Sequence, residues 1–332
     1  MNQLYPLKFR PIYKSRIWGG TQLRDQLMKT DAPSDCGESW EISSVEDDVS
    51  VVSEGFLADN ELNELIEVYM GDLVGDKVFE KFGNEFPLLV KFIDSNDNLS
   101  VQVHPHDKIA LERHNAYGKT EMWYIIDAAP DAKNVTGLIK GTKPEDLISR
   151  LKNNTLEEIL VYETVERGDV FYIQSGRVHA TGKGVLFAEI QQTSDITYRL
   201  YDYNRKDNNG KKRELHIELA LEAIDYSLED SAKIKVNTKP NQPNRLIECP
   251  YFTVNLLRCG RPAEIDYAYL DSFVIYICTS GKCNIYCDDN KEAYSLQIGE
   301  TILIPALINS IIVEPASDEV SILEVFIDNE RE

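Results

Sequence analysis

The chain has 332 residues, 42% of them hydrophobic, which is long for one ordinary core and fits two domains. Its 56 acidic and 35 basic residues leave a formal charge of -21, a field that argues against nucleic-acid and anionic-membrane partners. The opening MNQLYPLKFRPIYKSRIWGG lacks the apolar core of a secretory signal, and no run of about eighteen apolar residues occurs, so a cytoplasmic protein with no membrane partner is expected.

Helical spacing is first clear in ADNELNELIEVYM, where Leu62, Leu65, Ile66, Tyr69 and Met70 recur on one face. Short runs rich in Val, Ile, Tyr and Phe follow, in FPLLVKFID, LSVQVHP and EMWYIID. TKPEDLISRLKNN predicts a second helix, with Thr142 and Glu145 spaced as a capping box and Pro144 in the first turn. Strand texture returns in DVFYIQ, VLFAEIQQ and ITYRLYDY, and RELHIELALEAI predicts a third helix carrying Leu215, Leu219 and Ile224. From about residue 233 the polar KVNTKPNQPNRL reads as a linker. Beyond it YFTVNLLRC, SFVIYIC, CNIYCDD, ETILIPA and VSILEVFID are nearly all strand. The expected fold is mainly β, of sandwich or barrel type, with helical insertions in the first domain (1–235) and a second β domain over 236–332.

The second domain holds Cys249, Cys259, Cys278, Cys283 and Cys287. Without a secretory signal a disulfide framework is not expected. The cysteines of ICTSGKCNIYCDD could be drawn as a metal site, but Cys283, Ile285 and Cys287 alternate onto one strand face, where small thiols pack well. A weak repeat links the domains: RGDVFYIQSGRVHATGKGVLFAEI and IGETILIPALINSIIVEPASDEVSILEVF each open on Gly and an acidic residue and turn at Gln174 and Pro305. The first copy continues to Gly176 and His179, the second to Leu307 and Ser310, so only the first keeps a metal-capable histidine.

Strand parity places Gln102 and His104 on one face, ended by Pro105, and Lys119 and Glu121 on another. Imidazole, carboxylate and amide oxygen suit Zn²⁺ with a position left open for substrate, and His179 is the distant fourth member. A histidine after a glycine turn is commonly a surface or hydrogen-bonded residue, and His106, His114 and His216 are read so. Q-x-H, K-x-E and G-x-x-H on successive strands are together far more specific than any one alone.

LSVQVHPHD, YGKTEMWYII, GDVFYIQSGRVHA and EIQQTSDITYRLYDY, with the early RIWGG and GESWEIS, resemble the short type of class I mannose-6-phosphate isomerase from about residue 5 onward. The resemblance implies two cupin-type jelly-roll domains, the second without metal ligands, and an enzyme interconverting mannose 6-phosphate and fructose 6-phosphate with one zinc ion per chain. It implies Gln102, His104, Glu121 and His179 as ligands, Arg199 as the active-site arginine, and Lys91 and Lys119 beside the metal. Longer members of the family flank the second lysine with histidine and proline, where this chain has Gly118 and Thr120, so a proton-transfer role for that histidine does not carry over. The cupin turn proline is replaced by Gln174.

Such chemistry moves a proton between C1 and C2 through an enediolate, which asks for an acid, a base and a holder of negative oxygen. Lys119 beside a cation would have a lowered pKa and exchange protons near neutrality. Arg199, always charged, fits enediolate or phosphate stabilisation, although a surface ion pair is the plain alternative. Lys14, Arg16 and Lys91 are candidates for binding the phosphorylated hexose, and Trp18 either walls the pocket or fills the core. A non-catalytic sugar-binding cupin, an isomerase of another phosphorylated aldose, and an iron oxygenase are the competing readings. Lys119 and Arg199 speak against the first of these, and the small histidine set against the last.

Overall fold

A computed structural model describes residues 4–206, 210–288 and 292–328; the outermost residues of the two expected domains, 1–3 and 329–332, lie outside the described residues. Strands dominate. A seven-stranded sheet takes Ile12–Gly20, Cys36–Ile42, Leu88–Ser95, Val185–Gln192, Glu121–Ala128, Val170–Ile173 and Lys233–Ile234 in that spatial order. A five-stranded sheet takes Pro243–Glu248, Thr253–Cys259, Val320–Phe326, Val274–Ser280 and Thr301–Ile304. The change of sheet therefore falls between Ile234 and Pro243, where the polar segment KPNQ sits.

Both central sheets bury two faces, so their strands read as continuous apolar runs. In Leu88–Ser95 every residue is buried: Leu88, Val90 and Phe92 join the core shared by the two sheets, while Lys91 and Ile93 turn to the opposite side. Met122, Tyr124 and Ile126 likewise meet that shared layer, which Val254, Leu256, Ile275, Ile277, Leu323 and Val325 supply from the five-stranded sheet. Truncating a fully buried ring such as Phe92 to alanine costs about 3–5 kcal/mol. Leu7 exchanges two backbone hydrogen bonds with Leu303, so the amino-terminal segment extends the edge of the five-stranded sheet.

Each central sheet is faced on its other side by a second layer. In the carboxy-terminal half this is the four-stranded sheet Ala263–Asp266, Ser310–Pro315, Lys282–Cys287 and Tyr294–Gln297, enclosing a core with Cys259, Cys278, Cys283, Ile285 and Cys287. In the amino-terminal half Tyr198–Tyr201 pairs with Val101–Val103, and Lys133–Leu138 with Leu160–Thr164. Isolated bridges Gln102↔His179 and Val135↔Ala180 close the gap between those ribbons. All these pairings are antiparallel, giving the mainly β, two-sandwich architecture read from the sequence.

The repeat is structural. Gly168 donates to the Ile125 carbonyl and Gly299 to that of Cys278, both glycines at positive φ, and Asp169 and Glu300 accept from Ile125 and Cys278 in return. The helices Leu62–Tyr69, Pro144–Lys152 and Ile217–Ala223 fall where periodicity predicts them, with three corrections. Met70 is half exposed. The second helix is capped one residue later than Thr142 and Glu145 suggest: Lys143 is the N-cap, its N–H donates to Asp146, and the Thr142 hydroxyl donates instead to the Ile139 carbonyl. In the third, Ala220 and Ala223 form the buried face and Leu215 lies outside the helix, exposed. Among the described residues no helix is long and apolar enough to cross a membrane.

Candidate active site

Parity along Glu121–Ala128 sends Glu121 and Trp123 into the amino-terminal sandwich, opposite the ribbon that carries Gln102 and leads into His104, and Lys119 joins them from the segment just before that strand. His179 reaches the same point from the segment after the Gly176 turn, where positive φ favours glycine. His104, Glu121 and His179 are each 1% exposed, and one ligand atom from each lies within 4.8 Å of the others.

The imidazoles are oriented from behind. The Nδ1 of His104 lies 2.9 Å from the Ile196 carbonyl and that of His179 lies 2.8 Å from the Arg177 carbonyl. Each Nδ1 must therefore carry the proton, leaving both Nε2 lone pairs turned on Glu121, at 3.4 and 3.5 Å from its two oxygens. Gln102 brings its amide to 3.3 Å from the His179 Nε2, and turning that amide over aims its oxygen at the same point. Burial, reinforced by the Lys119 charge, holds His104 down at about 4, and burial lowers His179. Burial alone would raise Glu121, but the Lys119 charge holds it well below the usual carboxylate range. Two neutral imidazoles and one carboxylate are the protonation state a divalent cation requires, so this donor set fits a metal of zinc type.

Around Lys119 the carboxylates set the local field. Burial works to lower its pKa, yet Glu121 and Glu189 outweigh it and the net shift is upward. Its Nζ donates to Glu121, lies 3.3 Å from the His104 Nε2, and sits 3.7 Å from Glu189. The structure also gives His114 and His216 partners that sequence reasoning did not: His114 meets the Tyr198 hydroxyl, and His216 accepts the Arg199 backbone N–H. His106 is the N-cap of the helix Asp107–His114 rather than a plain loop residue.

Beside the ligand set opens a cleft of about 490 Å³. Its described lining includes Lys14, Arg16 and Trp18 from the first strand, Lys91, Lys119, Arg199 and Gln102. Trp18 is 4% exposed, so it serves the core and the wall together. Six cationic side chains, counting Arg213, line it against four acidic ones, a local reversal of the chain's overall charge. A larger cavity of about 760 Å³, at the amino-terminal segment and the carboxy-terminal half, has no Lys, Arg or His among its described lining; the chemistry converges on the smaller one.

Sequence reasoning missed the carboxylates that organise this wall. Glu38 accepts from Arg16 Nε at 2.6 Å and Trp40 Nε1 at 2.7 Å, and Lys91 lies 3.9 Å away. Glu189 receives Lys91 Nζ at 3.3 Å and Trp123 Nε1 at 3.1 Å. Lys14 pairs with Asp48 and lies over the Trp40 ring. Arg199 donates to the Ser100 hydroxyl and the Glu214 carbonyl, and among the described residues to no surface carboxylate. The signal for Glu38 and Trp40 was present in GESWEIS, but nothing local tied it to Lys91 fifty residues on.

The catalytic-domain model of type I phosphomannose isomerase matches residues 6–124. The chain is 42% identical to the mannose-6-phosphate isomerase ManA of Bacillus subtilis strain 168, over 90% of this chain and 93% of that protein. It is 34% identical to the mannose-6-phosphate isomerase of Streptococcus mutans, over 92% and 94% of the two chains. A crystal structure of a mannose 6-phosphate isomerase from Bacillus subtilis superposes with a TM-score of 0.87 at 31% identity, covering 98% of this chain and 100% of the other. With such similarity along almost its whole length, the chain belongs to the type I phosphomannose isomerase family.

Proposed function

We propose that the protein interconverts mannose 6-phosphate and fructose 6-phosphate through an enediolate, with one zinc ion per chain held by Gln102, His104, Glu121 and His179. The observation that carries this reading is the pair of imidazoles whose Nδ1 protons are fixed on backbone carbonyls, so that both Nε2 atoms face one buried carboxylate. Zinc bound there supplies Lewis-acid stabilisation of sugar oxygens without a proton of its own. Lys119, beside Glu121 and Glu189, is placed to take the proton from one of C1 and C2 as the free amine and to return it to the other as the ammonium. Arg199, anchored through Ser100 and Glu214, offers a permanent positive charge to the oxyanion or the phosphate. Lys14, Arg16 and Lys91 provide further cations for the phosphorylated hexose, and Trp18 supplies an apolar wall. Because a phosphorylated sugar does not cross membranes unaided, the reading carries a cytoplasmic location with it.

A coupled assay of mannose 6-phosphate conversion tests this on purified protein, after chelation, and after zinc is restored. Conversion that disappears and returns with zinc is expected. No conversion by the zinc-loaded protein contradicts the reading.

A further inference from the structure

Gly118 and Thr120, which flank Lys119, have no place in the chemistry above, yet each is clamped. The Gly118 N–H donates to Asp107 Oδ1 at 2.9 Å, Lys119 N–H to the Pro105 carbonyl at 3.2 Å, and Thr120 N–H to Gln192 Oε1 at 2.9 Å. Gln192 closes the circuit by donating its Nε2 to the same Asp107 Oδ1 at 2.9 Å. Three consecutive residues centred on Lys119 are thus fixed in space, two of them through one carboxylate. A Cβ on Gly118 would lie 2.6 Å from the Asp107 nitrogen, so the contact demands glycine for its closeness rather than its backbone angle. Asp107 also begins the helix that follows His104 and Pro105, so it sits where the segments bearing a proposed ligand and the proposed proton carrier meet.

The other oxygen of Asp107 is held from the far half of the molecule. The Tyr251 hydroxyl donates to Oδ2 at 2.7 Å across 144 residues of sequence. Tyr251 stands in the turn between Pro243–Glu248 and Thr253–Cys259 and packs on the core shared by the two central sheets. We infer that Asp107 is a positioning residue for Lys119, and that Tyr251 makes the carboxy-terminal sandwich a working part of the active site by holding Asp107 in place. This rests on the isomerase reading for its catalytic consequence, though the clamp itself does not.

The test compares wild type, Tyr251→Phe, Asp107→Asn, Asp107→Ala and the Asp107→Ala/Tyr251→Phe double variant for kcat, KM, zinc content and amide exchange over residues 117–121. Displacing a reacting group by a fraction of an ångström is expected to lower kcat of Tyr251→Phe by about 3–30-fold, with KM and zinc content unchanged. Asp107→Asn keeps an acceptor for Gly118 and is expected to retain more activity than Asp107→Ala. The double variant is expected to be no slower than Asp107→Ala alone, because Tyr251 acts through that carboxylate. Wild-type kcat in Tyr251→Phe overturns the inference, whatever happens to the melting temperature, and that variant loses one hydroxyl only, so it decides even if Asp107→Ala fails to fold. Should wild type prove inactive on mannose 6-phosphate, the isomerase reading fails by itself. Amide exchange then decides the clamp: faster exchange at Gly118–Thr120 in Tyr251→Phe supports it, and unchanged exchange overturns it.

Discussion

The two sandwiches place a glutamate at matching points of matching sheets and surround it with different chemistry. In the amino-terminal sheet Glu189 stands between Lys91 and Trp123 in cross-strand register; in the carboxy-terminal sheet Glu324 stands between Asn255 and Tyr276. Glu189 faces Lys91, Lys119 and a cleft. Glu324 is sealed at 2% exposure, accepting from Asn255 Nδ2 at 2.6 Å and from the Tyr267 hydroxyl, which itself meets Tyr276. Where Glu121 pairs with Ile173, Val274 pairs with Ile304, and six residues past those isoleucines stand His179 and Ser310 respectively. The same backbone thus holds a polar, cation-lined site once and a closed core once. Topology positions a site; a handful of side chains at fixed register decide whether one exists.

The comparison breaks most severely if its ligand set is removed. His179→Ala is expected to abolish both zinc retention and mannose 6-phosphate conversion, read by elemental analysis and the coupled assay; an active, fully metallated variant would remove His179 from the ligand set. Lys119→Ala is expected to lower turnover by on the order of 10² or more with zinc content unchanged. Equal turnover would take Lys119 out of the mechanism. In the other sandwich Glu324→Ala leaves two buried donors without their acceptor and is expected to cost about 1–3 kcal/mol in urea unfolding, with kcat unaltered. A fall in kcat there would show that the closed core does more than support.

The smallest effect sharpens the contrast through pH. Burial raises the Glu324 carboxyl, against the pull of its hydrogen bonds from Tyr267 and Asn255. A carboxyl raised on folding binds more protons in the native state, so its contribution is present below the ordinary glutamate range and is lost as pH climbs through the folded value. Glu324→Gln, which cannot ionise, is expected to flatten the stability profile above that range. A profile identical to wild type would show that Glu324 does not titrate differently on folding.

Much of this was legible locally. Alternation in GKTEMWYII put Lys119, Glu121 and Trp123 on one face, and the Gly-acidic repeat announced the duplicated sheets. What escaped was built from distant partners. The layer carrying His179 is closed by isolated bridges, not by strands long enough to show alternation. Glu38, Glu189 and Asp107 take their meaning from Arg16, Lys91 and Tyr251, and no periodicity reports a contact made across 22, 98 or 144 residues. The misplaced cap at Thr142 had a nearer cause, since Asp146 competes with Glu145 for the same turn one residue on.

Titrating zinc into the chelated protein while following mannose 6-phosphate conversion tests the central claim most directly. The account predicts turnover that rises from background and breaks at one zinc per chain. Full turnover before any zinc is added, or none after saturation, would contradict it.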